Sequence, residues 1–190
     1  DESFKIAEKR GVYPAFEGKT PLRRNALTTT IAPTGSVAMI ADASYGMEPY
    51  FGIAFIKNCM DGKELYYGNK YFEEYLNCNC PVTKDEILEY AQKYGTLRGI
   101  ATHLLPDYII DLFKTAHDIA PKDKIKVQAC WQKYIDQSIS ATINMPESAT
   151  KEDVAEVYTT AWEYGCKGIT VYRNNSRSQQ VLNIEKVKNT

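Results

Sequence analysis

The residues best placed to do chemistry in this chain form a turn, not a cluster of acids or thiols. Asn25-Ala-Leu-Thr-Thr-Thr-Ile-Ala-Pro-Thr-Gly-Ser-Val-Ala-Met-Ile40 reads as a strand, a tight Pro-Thr-Gly-Ser turn and the start of a helix. Such a turn aims unpaired backbone N–H groups at one point, which makes an anion site. Pro33 ends the strand, because it brings no N–H to a ladder. Gly35 lets the backbone approach a ligand closely. Thr34 and Ser36 add hydroxyl donors and can cap the helix, with Val37 following. A capped helix without a ligand fits the same spacing. The loop is not a Walker phosphate loop, since the Gly-x-x-x-x-Gly-Lys-Ser/Thr pattern and its lysine are missing.

Other reactive side chains are scattered. The five cysteines, Cys59, Cys78, Cys80, Cys130 and Cys166, are odd in number and irregular in spacing. That argues against a secreted disulfide framework and for a reducing cytoplasm. Cys78-Asn-Cys80 lacks the second Cys or His cluster of a typical zinc site, so no metal is expected. Cys130 falls on the apolar side of a predicted helix and Cys166 just past a helix end, so both read as packing residues. His103 and His117 have no partner at ligand spacing and read as surface or helix-end residues. The run Lys122-Asp-Lys-Ile-Lys126 reads as a solvated helix start.

The elements that must position the turn follow from periodicity. A short helix is expected over Phe4–Arg10 within a polar, turn-rich lead-in. Ala26–Ile31 alternates and is rich in β-branched residues, as in a strand. Val37–Asp42 reads as a short helix, Ser44–Pro49 as a turn and Phe51–Ile56 as a second buried strand. Helical stripes cover Asn69–Leu76, Tyr108–Ala116 and Lys124–Ser138. Another helix follows the capping pattern of Thr83 and Glu86 and ends at Gly95. A strand at Ile139–Asn144 stops before Pro146. A helix then opens with Thr150 and Asp153 and ends at Gly165, and Gly168–Tyr172 makes the next strand. Strand, helix and strand form a βαβ unit with parallel strands, and the N-terminal strand–helix–strand is a second candidate. The fold class is α/β, a barrel or part of one.

Composition bounds the rest. A chain of 190 residues with 44% hydrophobic and 25% charged residues suits one packed domain or a large piece of one. The net charge of −1 argues against binding a nucleic-acid polymer or an anionic membrane. No apolar run reaches the length of a membrane span, and no signal peptide opens the chain. The first residue is Asp, which fits a fragment or a processed chain.

Several ordered motifs together carry a resemblance. They are Asn25–Ser36, Ser44-Tyr-Gly-Met-Glu-Pro49, Gln128-Ala-Cys-Trp-Gln-Lys-Tyr-Ile-Asp-Gln-Ser-Ile-Ser-Ala-Thr-Ile-Asn-Met-Pro146 and Gly165-Cys-Lys-Gly-Ile-Thr-Val-Tyr-Arg173. With Tyr13-Pro-Ala-Phe-Glu-Gly18 they cover nearly the whole chain. The set resembles the catalytic subunit of adenosylcobalamin-dependent (class II) ribonucleotide reductase. That resemblance implies part of a ten-stranded α/β barrel. Residues 1–190 would be its C-terminal portion, with 1–24 an irregular lead-in and 181–190 a frayed tail. It implies reduction of a ribonucleoside di- or triphosphate by cysteinyl-radical chemistry, with adenosylcobalamin as cofactor and an external dithiol as reductant.

By the same resemblance, Pro33, Thr34, Gly35, Ser36 and Val37 hold the substrate phosphates. Gly46, Met47 and Glu48 match a turn near the substrate end, where a structural role also fits. Tyr172 either lines the active site or is an ordinary buried strand tyrosine. It is followed by Arg173, so the tyrosine pair of iron-dependent relatives is absent, which favours a cofactor-generated radical. The family's Asn-x-Cys-x-Glu pattern does not occur here, and none of the five cysteines matches a catalytic thiol. The C-terminal shuttle pair and the effector-binding region are also missing. The chain is therefore expected to need the remainder of its polypeptide, and oligomeric state is open, a homodimer included. Two rival readings are a glycyl-radical enzyme, whose Arg-Val-x-Gly-Tyr motif is missing, and a stand-alone phosphate-binding module.

Overall fold

A computed structural model describes residues 2–18, 21–41, 43–58, 64–176 and 182–183. Asp42, Cys59 and most of the expected 181–190 tail lie outside the described residues. Two packing centres organise the chain.

The first centre is helical. α1 (Glu2–Arg10) and α2 (Gly35–Ala41) precede it in the chain; its own helices are α3 (Lys70–Asn79), α4 (Lys84–Tyr94) and α5 (Asp107–Leu112). Phe72, Leu76, Ile87, Ala91, Leu105 and Ile109 bury their side chains against one another. α3 starts at Asn69 because its side chain accepts the Phe72 N–H at 3.1 Å. α4 ends at Gly95, whose φ of 69° lets its N–H turn back to the Ala91 carbonyl. The expected cap at the other end of α4 does not form. Thr83 makes no side-chain cap bond, because its backbone (φ −102°, ψ 5°) is not the extended form a cap needs.

Beside these helices lies an antiparallel sheet of β1 (Ala54–Asn58), β2 (Glu64–Gly68) and β5 (Leu182–Asn183), ordered β2-β1-β5. This corrects the expected N-terminal strand–helix–strand unit. The segment read as a strand over Phe51–Ile56 pairs from Ala54 onward, and antiparallel to its neighbours. Ala26–Ile31 is not a ladder strand either. It makes one parallel bridge, Ile31 to Ile139, with Gln137 N–H on Thr29 O and Ser140 N–H on Ile31 O. Residues 26–30 are exposed, so no buried face drives their pairing further.

The second centre is the expected C-terminal βαβ unit. β3 (Thr142–Met145) and β4 (Thr170–Arg173) are parallel and in register from Thr142 opposite Thr170 to Met145 opposite Arg173. α6 (Pro121–Gln132) and α7 (Lys151–Glu163) cover them, with Ile125, Ile143, Met145, Val157 and Ala161 between. α7 carries the full capping box: Thr150 Oγ1 accepts the Asp153 N–H at 3.2 Å and Asp153 Oδ2 accepts the Thr150 N–H at 2.8 Å. α6 starts three residues earlier than Lys124, at Pro121, whose fixed φ suits the first helical position. It ends at Gln132, whose Nε2 donates to the carbonyls of Ile135 and Gln137. α5 likewise stops at Leu112, short of Ala116, and Thr115 N–H turns to Asp118 instead.

Candidate functional site

Pro33–Val37 form the head of α2. Thr34 has a φ of 44°, a left-handed backbone that a β-branched residue rarely adopts. The first helical bond runs from Ala38 N–H to Thr34 O at 2.8 Å. The amides of Gly35, Ser36 and Val37 therefore have no acceptor within the helix. A side chain on Gly35 would meet no atom within 4 Å. Ala38 is the buried residue of α2 and Met39 is half-buried, while Val37 is 66% exposed and Ile40 87% exposed. Successive amides after a left-handed residue make a concave donor nest, suited chemically to a phosphate or carboxylate.

The turn at Gly46–Glu48 packs beside this loop. Gly46 has a φ of 52°, and a side chain there would stand 3.4 Å from Ala32 O and 3.7 Å from Ile31 Cγ2. Met47 and Glu48 are half-buried. Glu48 Oε1 accepts the N–H of Thr142, the first residue of β3, at 3.1 Å. Two of the expected groups are thus joined: the turn sits on the extended segment that leads into Pro33, and is tied to β3. Tyr172 stands apart. It lies half-buried in β4 opposite Asn144, while Ile31 meets β3 at Ile139, so along the strands it is about 16 Å further toward their C-terminal ends. Among the described residues no side-chain hydrogen bond ties Tyr172 to the loop or the turn.

Beneath the turn lies a polar cluster that sequence reading missed. Lys124 is 7% exposed, not solvated, and its Nζ donates to Ala116 O. Asp118 accepts from Thr115 N–H at 2.8 Å, Thr115 Oγ1 at 2.8 Å and Thr96 Oγ1 at 2.7 Å. His117 is not a surface residue: its ring packs edge-on against Phe51 at 4.9 Å, and its buried Nε2 has no partner among the described residues. Ala116 N–H donates to Tyr50 O at 2.8 Å, which closes the cluster onto the chain after the turn.

Burial dominates the electrostatics here. It lowers the Lys124 ammonium to about 8, against the pull of Glu48 and Asp118. It raises the Glu48 carboxyl, while the Thr142 N–H and the Lys124 charge act the other way. Burial and then Lys124 lower His117, opposed by Asp118. Tyr45 is pushed up to about 12 by burial and by Glu48. One signal could have revealed this: Lys124, Gln128 and Gln132 recur every four residues, placing polar side chains on one helix face with Ile125 and Ala129. All five are buried.

Elsewhere, Cys130 is exposed, because the buried face of α6 is the one carrying Lys124, Gln128 and Gln132. Cys166 packs against the second core, as expected. No group of three His, Cys, Asp or Glu among the described residues could hold a metal ion. No described helix is long and apolar enough to cross a membrane. Two clefts, of about 430 Å³ between β1–β2 and α3–α4 and about 260 Å³ by Tyr50, Tyr71 and Phe113, contain none of the expected site residues.

The family described as "Ribonucleotide reductase, barrel domain" matches residues 21–172. A protein of Thermoplasma acidophilum named vitamin B12-dependent ribonucleoside-diphosphate reductase is 40% identical over 96% of this chain and 24% of its own length. A Mycobacterium tuberculosis protein of the same name is 38% identical over 95% of this chain and 26% of its own. The chain thus spans about a quarter of the length of these curated relatives. Among solved structures, the Actinobacillus ureae class Id ribonucleotide reductase alpha subunit superposes with a TM-score of 0.67 at 28% identity, over 91% of this chain and 31% of that one.

Proposed function

The chain belongs to the ribonucleotide reductase family, in its barrel domain, and from that premise we propose that residues 1–190 are the substrate-phosphate portion of a vitamin B12-dependent reductase. The observation that carries the reading is the head of α2. A left-handed Thr34 is strained, and the helix that follows it opens with a glycine at which a side chain would meet no atom within 4 Å.

In this reading the amides of Gly35, Ser36 and Val37 donate to the non-bridging oxygens of a ribonucleoside di- or triphosphate. The hydroxyls of Thr34 and Ser36 add two further donors, and Pro33 sets the entry of the loop. Gly46, Met47 and Glu48 back the loop and border the ribose. Positioning of this kind is what the protein contributes to radical chemistry. Tyr172, which stands apart from the loop in β4, takes the role of an ordinary strand tyrosine in this reading. Adenosylcobalamin, when bound to the full-length protein, supplies the radical that a cysteine outside this chain turns on the substrate. Among the described residues, neither cleft is of a size to seat a corrin. The radical cysteine, the reducing thiols and an external dithiol complete the reaction, so the 190 residues alone are inactive.

Calorimetric titration of the full-length protein tests the phosphate loop. Gly35→Asp places a carboxylate where the phosphates would lie. It should abolish binding of ribonucleoside di- and triphosphates. Undiminished nucleotide binding by this variant would overturn the reading.

A further inference from the structure

The segment ahead of the phosphate loop gains little from burial. Residues 26–30 are exposed, and the single parallel bridge, Ile31 to Ile139, comes only just before Pro33. A stretch of this kind is fixed in place by hydrogen bonds or not at all. Asp136, in the bend between α6 and β3, supplies them across 108 residues of chain. Its Oδ2 accepts the Thr28 N–H at 2.9 Å and the Thr28 Oγ1 hydroxyl at 2.6 Å. Its own N–H donates to Thr29 Oγ1 at 2.9 Å, and the next amide, Gln137 N–H, donates to Thr29 O at 3.1 Å. Bonds to an ionised acceptor are about twice as strong as neutral ones. The bend is itself held from the core side. Gln132, on the buried face of α6, donates Nε2 to Ile135 O at 3.0 Å and Gln137 O at 2.8 Å, and Lys167 Nζ donates to Asp136 O. Arg23 Nη1 stands 3.8 Å from the other carboxylate oxygen, Oδ1, and a partly exposed pair of that length contributes little. The acceptor geometry of Asp136, more than its charge, therefore anchors the segment.

We propose that Asp136 is a positioning residue for the substrate phosphates: its carboxylate clasps Thr28 by backbone and side chain, and so fixes where the chain enters Ile31–Pro33 and where the amides of Gly35, Ser36 and Val37 point. This inference rests on the reading of Pro33–Val37 as the phosphate loop. Without the carboxylate, the Thr28 N–H and hydroxyl turn to water, and the segment is held only from Thr29 onward. The loop then samples a wider range of positions, and a phosphate has to pay for ordering it. Asp136 acts through this segment and not on the substrate, so its loss falls on binding rather than on the chemical step.

The test is steady-state kinetics of the full-length reductase, loaded with cofactor and reductant. Asp136→Ala should raise the ribonucleotide KM about tenfold, with little change in kcat. Asp136→Asn keeps an acceptor oxygen for both Thr28 donors and should stay within about twofold of the wild type. In a Gly35→Ala background, Asp136→Ala should raise KM by no more than about twofold, because both changes act on one phosphate contact. A KM raised in Gly35→Ala but unchanged in Asp136→Ala overturns the inference and leaves the loop reading standing. An unchanged KM in Gly35→Ala removes the loop reading, and the inference with it. Equal increases from Asp136→Ala in both backgrounds make Asp136 independent of the loop and also overturn the inference. So does an asparagine variant as impaired as the alanine one. If Asp136→Ala fails to fold, Thr28→Ala against Thr28→Ser decides. Serine keeps the hydroxyl donor, so only the alanine variant should raise KM, and an equal KM in the two overturns the inference.

Discussion

Replacing Gly35 by alanine separates a ligand-binding role from every structural one. Gly35 is the first residue of α2, and it is not among the glycines with positive φ. A methyl group there meets no protein atom within 4 Å. Alanine at a compatible position restricts the unfolded chain and stabilises the fold by about 0.4–1 kcal/mol. Stability should therefore be equal or slightly higher. Substrate binding should move the other way. A phosphate seated on the Gly35 amide needs close backbone approach, and losing one hydrogen bond to a charged group costs about 1.5–3 kcal/mol. That corresponds to roughly a ten- to hundredfold rise in KM. Urea denaturation and steady-state kinetics on the same preparation measure both quantities. A more stable variant with unchanged KM would refute close approach of the phosphate to Gly35. A less stable variant would refute the open-space reasoning instead.

Three further outcomes follow from the fold. Phe72 is fully buried at the centre of the helical core, so Phe72→Ala should lower the unfolding free energy by about 3–5 kcal/mol in urea. Thr150→Ala removes a formed capping box and should cost about 1 kcal/mol, whereas Thr83→Ala, at a cap position without a side-chain bond, should stay within about 0.5 kcal/mol. Lys124 titrates at about 8 in the folded chain against 10.5 ordinarily. Between these values the unfolded chain binds more protons, so this site's contribution to stability rises with pH across that window. The unfolding free energy of the wild type relative to Lys124→Met should climb by up to roughly 3 kcal/mol from pH 8 to 10.5; a flat difference would show that the buried ammonium is not perturbed.

Much of the fold could be read along the chain where local signals and burial agree. The Thr150–Asp153 box, the apolar stripe of α7 and the strands around Ile143 and Val171 point to one parallel unit, and that unit forms. Gly95 announces the end of α4 because glycine takes up the left-handed backbone of a helix end without steric cost. Ala26–Ile31 shows the limit of this approach. Its alternation is that of a strand, yet it finds a single bridge, because pairing depends on a neighbour and a buried face that local sequence does not specify. Phe51–Ile56 fails for a related reason. Strand character was legible, but its direction relative to its partners was set by residues 64–68 and 182–183.

The site divides the same way. Sequence alone singled out Pro33–Val37 as the candidate loop, because a proline, a glycine and two hydroxyls at that spacing carry their conformational and donor properties wherever they fold. It also determined the family, through ordered motifs that the match over residues 21–172 bears out. Only the tertiary structure decided that Gly46 rests on Ile31 and Ala32, just ahead of this loop, and that Glu48 reaches the first amide of β3 across 94 residues of chain. Only there does Lys124 cease to be one charge in a solvated run and become a buried cation beside Glu48 and Asp118. Burial and long-range charge are properties of the folded arrangement, and the neighbours that create them lie on four separate segments of the chain.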